Sequence, residues 1–65
     1  MTLGQRIRTL REAAELSQEA VAGQAGITQE HLSNIERGER GASLDLTRRL
    51  AVALGVRWGD LIDPQ

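Results

Sequence analysis

The stretch S-Q-E-A-V-A-G-Q-A-G-I-T-Q-E-H-L-S-N-I-E-R-G, from Ser17 to Gly38, decides the fold. It uses one device twice. Ser17 and Thr28 are hydroxyl side chains of the kind that accept from the free N–H groups at a helix start. Each is preceded by an apolar residue and followed four positions on by another: Leu16 with Val21, and Ile27 with Leu32. That spacing is the hydrophobic staple of a helix entrance. Gly26 stands where the first of these helices must stop, and glycine takes the left-handed conformation of a helix end at little cost. Two helices are therefore predicted, one from the Ser17 cap to about Gln24 and one over 28–37 stopped by Gly38. So short a link forces them to cross sharply, as in a helix-turn-helix.

Working outward, Leu3, Ile7, Leu10 and Ala14 recur at helical spacing and predict a first helix from about Leu3 to Glu15. Arg11 lies at the edge of that stripe, and Arg6, Arg8 and Glu12 point outward. Downstream, Glu39 to Ala42 read as a loop. Ser43 caps a fourth helix with Leu44, Thr47, Leu50, Ala51 and Leu54 inward, and Gly55 ends it. A short fifth helix over Trp58 to Ile62 follows, and Pro64 stops its extension. His31 falls on the flank of the third helix as a solvated or packing residue. The whole chain, 1–65, reads as one all-α domain.

Composition narrows the function. A chain of 65 residues buries only about 60% of its unfolded surface, so its stability is modest. It has no Cys and one His, which leaves no disulfide, no thiolate metal site and no cofactor to expect. Nor is there an apolar run long enough for a bilayer or a signal peptide; the expectation is a cytoplasmic protein with no membrane partner. Nothing assembles a nucleophile, a base and an orienting group, so no enzyme is expected. The formal net charge is −1, which weighs against tight non-specific binding to nucleic acid. Every basic residue is nonetheless Arg, the side chain that forks onto phosphate and guanine. The acidic residues Asp45, Asp60 and Asp63 lie in the last third of the chain.

If Leu32 and Ile35 seat the third helix on a core, then Gln29, Glu30, Ser33, Asn34 and Arg37 face away from it. These are polar side chains long enough to reach base edges.

The phrases L-G-Q-R-I-R-T-L-R, L-S-Q-E-A-V-A, I-E-R-G-E-R and L-A-V-A-L-G-V stand in this order along the chain. With them the sequence resembles the lambda-repressor/Cro family of helix-turn-helix regulators, also called the xenobiotic-response-element family. The resemblance implies a compact five-helix lambda-repressor-like domain whose helices 2 and 3 form the helix-turn-helix. It also implies a third helix read into the major groove of double-stranded DNA, and a homodimer on a palindromic operator. By resemblance, Gln18 contacts a phosphate and braces the recognition helix, the helix N-terminus at Ser17 offers free N–H groups to phosphate, and Arg37 and Arg40, past the end of the third helix, clamp phosphate, while Thr28, Gln29, Glu30 and Asn34 read bases and Ser33 lies nearer the DNA backbone. Gln29 and Asn34 can each bond adenine bidentately, and Glu30, which only accepts, suits cytosine. Arg11 and Glu36 match the family's ion pair between the first and third helices.

Three departures stand out. The loop over 39–43 lacks a Pro before its cap, Thr47 replaces a larger apolar residue, and Arg57 replaces a small cap residue, so looser local packing is expected there. Trp58 closes the core or sits in a dimer interface, and Leu46, Val52 and Ala53 project beyond the expected stripe of the fourth helix as further interface candidates. The competing reading is a protein-interaction or antitoxin module of the same fold with weak or no DNA binding, which the negative charge and Glu30 favour.

Overall fold

A computed structural model describes residues 1–62. Five helices follow one another: α1 (Leu3–Ala13), α2 (Gln18–Ala25), α3 (Gln29–Glu36), α4 (Leu44–Leu54) and α5 (Trp58–Ile62). The expectations for Asp63 and Pro64 lie outside the described residues.

The expected caps form. The hydroxyls of Ser17, Thr28 and Ser43 accept from the backbone N–H groups of Ala20, His31 and Leu46. A fourth cap was equally legible. The Thr2 hydroxyl accepts from Gln5 N at 3.1 Å, and the Gln5 side chain accepts from Thr2 N at 2.9 Å, a reciprocal capping box that opens α1. At the other end α1 stops at Ala13, two residues before the expected Glu15. Glu15 itself adopts φ 58, while Glu15 N donates to Glu12 O and Leu16 N to Arg11 O, at 3.0 Å each. α2 ends by the same pair of bonds, with Gly26 at φ 76 in the left-handed position. There glycine carries no Cβ strain, whereas Glu15 does.

Ile7, Val21, Ala22, Ala25, Leu32, Ile35, Leu50, Ala51, Leu54 and Leu61 form the core, with Leu3, Leu10, Leu16, Ile27 and Trp58 packed around it. Ala22, a small residue, is buried on α2. α2 packs against both α3 and α4, and α1 packs against α3. That last contact depends on Gly4. A Cβ there would stand 2.1 Å from the Ile35 carbonyl oxygen and 2.7 Å from that of Glu36. Only a bare α-carbon lets the start of α1 press onto the end of α3.

Four expectations about the apolar faces change. Ala14 is exposed, because α1 has ended before it. On α4, Leu44 is 59% exposed, while Leu46 is only 5% exposed and Ala53 7%. The buried stripe of α4 is turned toward 46, 50, 53 and 54, leaving Leu44 on its margin. Leu46 and Ala53 are therefore core residues and not interface candidates. Val52, at 79% exposure, remains on the outer face.

The expected loose spots are tied down. The Thr47 hydroxyl donates to Leu44 O at 2.7 Å and accepts from Trp58 Nε1 at 3.1 Å, so its polar atom has a job at the α4–α5 junction that a larger apolar residue could not perform. Arg48 covers the Trp58 ring with its guanidinium carbon 4.8 Å from the ring centre. Arg57 carries α5's first backbone acceptor, bonded to Asp60 N at 3.0 Å. The loop after α3 is anchored by Glu39 N and Arg40 N, both bonded to Asn34 O, at 2.9 and 3.3 Å.

Candidate functional site

The site is the outward face of the α2–α3 unit. Burial of Leu32 and Ile35 fixes the rotation of α3, and Thr28, Gln29, Glu30 and Arg37 are then exposed while Ser33 and Asn34 are half-exposed on its flank. The turn that aims α3 is clamped from α4. Arg49 donates through NH1 to Ala25 O at 2.7 Å, bonding a carbonyl at the end of α2, and its Nε pairs with Asp45 at 3.1 Å.

Behind α3 lies a bonded chain that runs through three helices. Arg11 Nε donates to Glu36 Oε2 at 2.7 Å and Arg11 NH2 to Glu36 Oε1 at 3.1 Å, so the ion pair expected from the sequence is two-pronged. Arg11 NH1 also donates to Leu16 O at 2.9 Å. The side chains are only 12% and 3% exposed. Hydrogen bonding to Glu36 raises the Arg11 guanidinium above its ordinary pKa, against the opposing effect of burial, with the Glu36 and Glu12 charges adding to the rise. Gln18 joins the same carboxylate: its Nε2 donates to Glu36 Oε1 at 3.0 Å. Gln18 Oε1 in turn accepts a long 3.5 Å bond from Gln29 Nε2. Gln18 thus links the buried pair to the first side chain of α3's outward face.

At the far end of α3 the polar side chains bond one another. Arg37 NH1 donates to Ser33 Oγ at 2.6 Å, its NH2 donates to Asn34 Oδ1, and its Nε meets Glu39 Oε2 at 3.2 Å. Their sequence signal is the spacing alone: Ser33 and Arg37 stand four apart and Asn34 and Arg37 three, the spacings at which helical neighbours meet. Arg40 is exposed beyond them. Among the described residues every buried side-chain nitrogen and oxygen has a hydrogen-bond partner. No group of His, Cys, Asp and Glu among them is arranged to hold a metal ion, and no helix is long and apolar enough to cross a membrane.

Comparison with known proteins places this geometry. Residues 2–64 match the family model described as a helix-turn-helix domain. The control protein C.BamHI of Bacillus amyloliquefaciens is 38% identical over 64 residues, which covers 97% of this chain and 79% of that protein. Among solved structures, the restriction-modification controller protein C.AhdI from Aeromonas hydrophila superposes with a TM-score of 0.88 at 40% identity, over 92% of this chain and 91% of that one. The P22 c2 repressor, solved in complex with a synthetic operator, superposes with a TM-score of 0.90 at 25% identity, over 100% of this chain and 98% of that one.

Proposed function

Since this chain belongs to the helix-turn-helix domain family, among its Cro/lambda-repressor-like regulators, we propose that it is a sequence-specific DNA-binding transcriptional regulator that sets α3 into the major groove and binds a palindromic operator as a homodimer. The family is one of non-enzymatic regulators. One observation carries the reading: α3 shows solvent a polar face while its opposite side is held to α1 and α2 through Arg11, Glu36 and Gln18. A rigid polar rod of this kind presents donors and acceptors to base edges with little ordering left to do on binding.

In this reading Thr28, Gln29, Glu30, Ser33 and Asn34 meet the base edges. Ser17 and Gln18 at the start of α2 contact phosphate, as do Arg37 through its remaining N–H groups and Arg40 past the helix end. Glu30 only accepts, so it rejects bases that lack a facing donor. Glu19 lies in the first turn of α2 and weakens that helix end's pull on phosphate, consistent with binding governed by sequence more than by charge. The exposed Val52, together with Trp58 at the α4–α5 junction, is the candidate dimer surface. An interaction module is the second reading, favoured by the net charge of −1.

Selection of bound duplexes from a randomised pool tests the proposal. The expected product is a pair of inverted half-sites whose centres lie about 10–10.5 base pairs apart, or a multiple of that. A pool that stays random, with no binding at micromolar protein in low salt, favours the interaction module instead.

A further inference from the structure

We propose that Arg37 determines which base Asn34 reads, making Asn34 a reader of guanine and not of adenine. The inference rests on the DNA-binding reading of α3 above.

Arg37 is the C-cap of α3, and its side chain folds back over the last helical turn. The guanidinium has five N–H donors and no acceptor. Whatever it touches must turn an oxygen toward it. Asn34 does so with Oδ1 and Ser33 with Oγ, while Glu39 holds the guanidinium from the other side through Nε. Glu39 is itself tethered to the same turn by its backbone N–H on Asn34 O. The carboxamide of Asn34 is thereby oriented: its oxygen is engaged by a cation, and Nδ2 with two donors is the free end. Ser33, having accepted, keeps its O–H to give. The C-terminal half of the α3 face therefore turns its donors outward, with only the second lone pairs of Asn34 Oδ1 and Ser33 Oγ left to accept, one turn away from Glu30, which offers acceptors only.

Base chemistry then separates the purines. Bidentate reading of adenine needs the amide oxygen to accept from N6–H₂ while the amide nitrogen donates to N7. With one lone pair of Oδ1 held by Arg37, the N6–H₂ group would have to approach the remaining lone pair beside a positively charged donor. Guanine presents N7 and O6, two acceptors side by side, which matches an end that turns its donors outward. The expectation from sequence that Asn34 pairs with adenine treats the side chain as free to choose its orientation, and the Arg37 bond removes that choice.

The test is selection from one randomised duplex pool by the wild type, Asn34→Ala and Arg37→Ala, with helicity and thermal midpoint recorded for each. Arg37 is exposed, so Arg37→Ala retains the fold. The position at which Asn34→Ala loses its preference is the one Asn34 reads. There the wild type selects guanine, and Arg37→Ala shifts the guanine-to-adenine ratio toward adenine by about ten-fold. Three results overturn the inference: adenine at that position in the wild type, an unchanged ratio there in Arg37→Ala, or a site at which Asn34→Ala loses no preference while Arg37→Ala loses a guanine, which would make Arg37 itself the reader. If the wild type enriches no sequence, the DNA-binding reading has failed before any variant is compared, and this inference falls with it.

Discussion

Arg11 and Glu36, 25 residues apart in sequence, join α1 to the last turn of α3 by two hydrogen bonds, the shorter 2.7 Å. A carboxylate only 3% exposed cannot be left alone. Arg11→Met should therefore cost about 3–5 kcal/mol, because it strands the Glu36 charge in the interior. Arg11→Met combined with Glu36→Leu should cost less than the single change, since no unpaired charge remains. Urea unfolding of the wild type, Arg11→Met, Glu36→Leu and the double variant measures this; a double variant as damaged as the sum of its parts would mean that the two residues act independently. The pair is insensitive to ordinary pH on the arginine side. Its folded pKa is raised, so Arg11's contribution is complete below the unfolded value and is lost only as pH climbs through the folded one, in strong alkali.

Gly4→Ala should destabilise the domain by about 1–3 kcal/mol, the scale of overpacking. The new methyl would meet the Ile35 carbonyl oxygen at 2.1 Å, and backbone cannot swing aside as a side chain can. The movement has to be taken up where α1 meets α3, so the variant's thermal midpoint should fall. A midpoint equal to the wild type's would show that the two helices can separate freely there.

Glu15→Gly should raise stability, by about 1 kcal/mol. Glu15 holds φ 58 at the end of α1, a conformation that strains a residue with a Cβ and suits glycine. The extra freedom of glycine in the unfolded chain offsets part of the gain. Denaturant midpoints decide it, and a loss of stability would indicate that the strain is small against that entropy.

Arg40→Ala should weaken binding to every DNA sequence alike and reduce the slope of log affinity against log salt by about 1, the signature of one lost phosphate contact. Gln29→Ala should instead relax preference at one base position at a cost of about 1–3 kcal/mol. Salt titrations with a selected duplex and single-base variants of it separate the two; equal losses by both variants on every sequence would contradict the division of roles.

What was legible in the sequence, and what was not, follows the range of each interaction. Caps at Ser17, Thr28 and Ser43 and the stop at Gly26 are local: the partner is three residues away or is the residue's own backbone. The Thr2–Gln5 box was just as local and shows the same spacing rule. On α4, Leu44 and Leu46 both fit a helical stripe, so periodicity alone does not choose the inward face. Only the position of α2 and α5 around α4 decides which of them is covered. Gly4 could not be read at all, since the atoms it makes room for belong to Ile35 and Glu36 on another helix. In the candidate site the outward position of Gln29 and Glu30 followed from burying Leu32 and Ile35. Arg37's grip on Ser33 and Asn34 did not, because a flexible side chain at helical spacing can equally extend into solvent.

DNA is expected on the outward face of α2 and α3, and amide mapping locates it residue by residue. A ¹⁵N-labelled sample titrated with a selected duplex at moderate salt should show its largest shift changes at the start of α2 and along 28–40, with the outer face of α4 around Val52 responding only through dimerisation. Shift changes centred on α4 and α5, with Gln29, Glu30 and Asn34 unmoved, would contradict it.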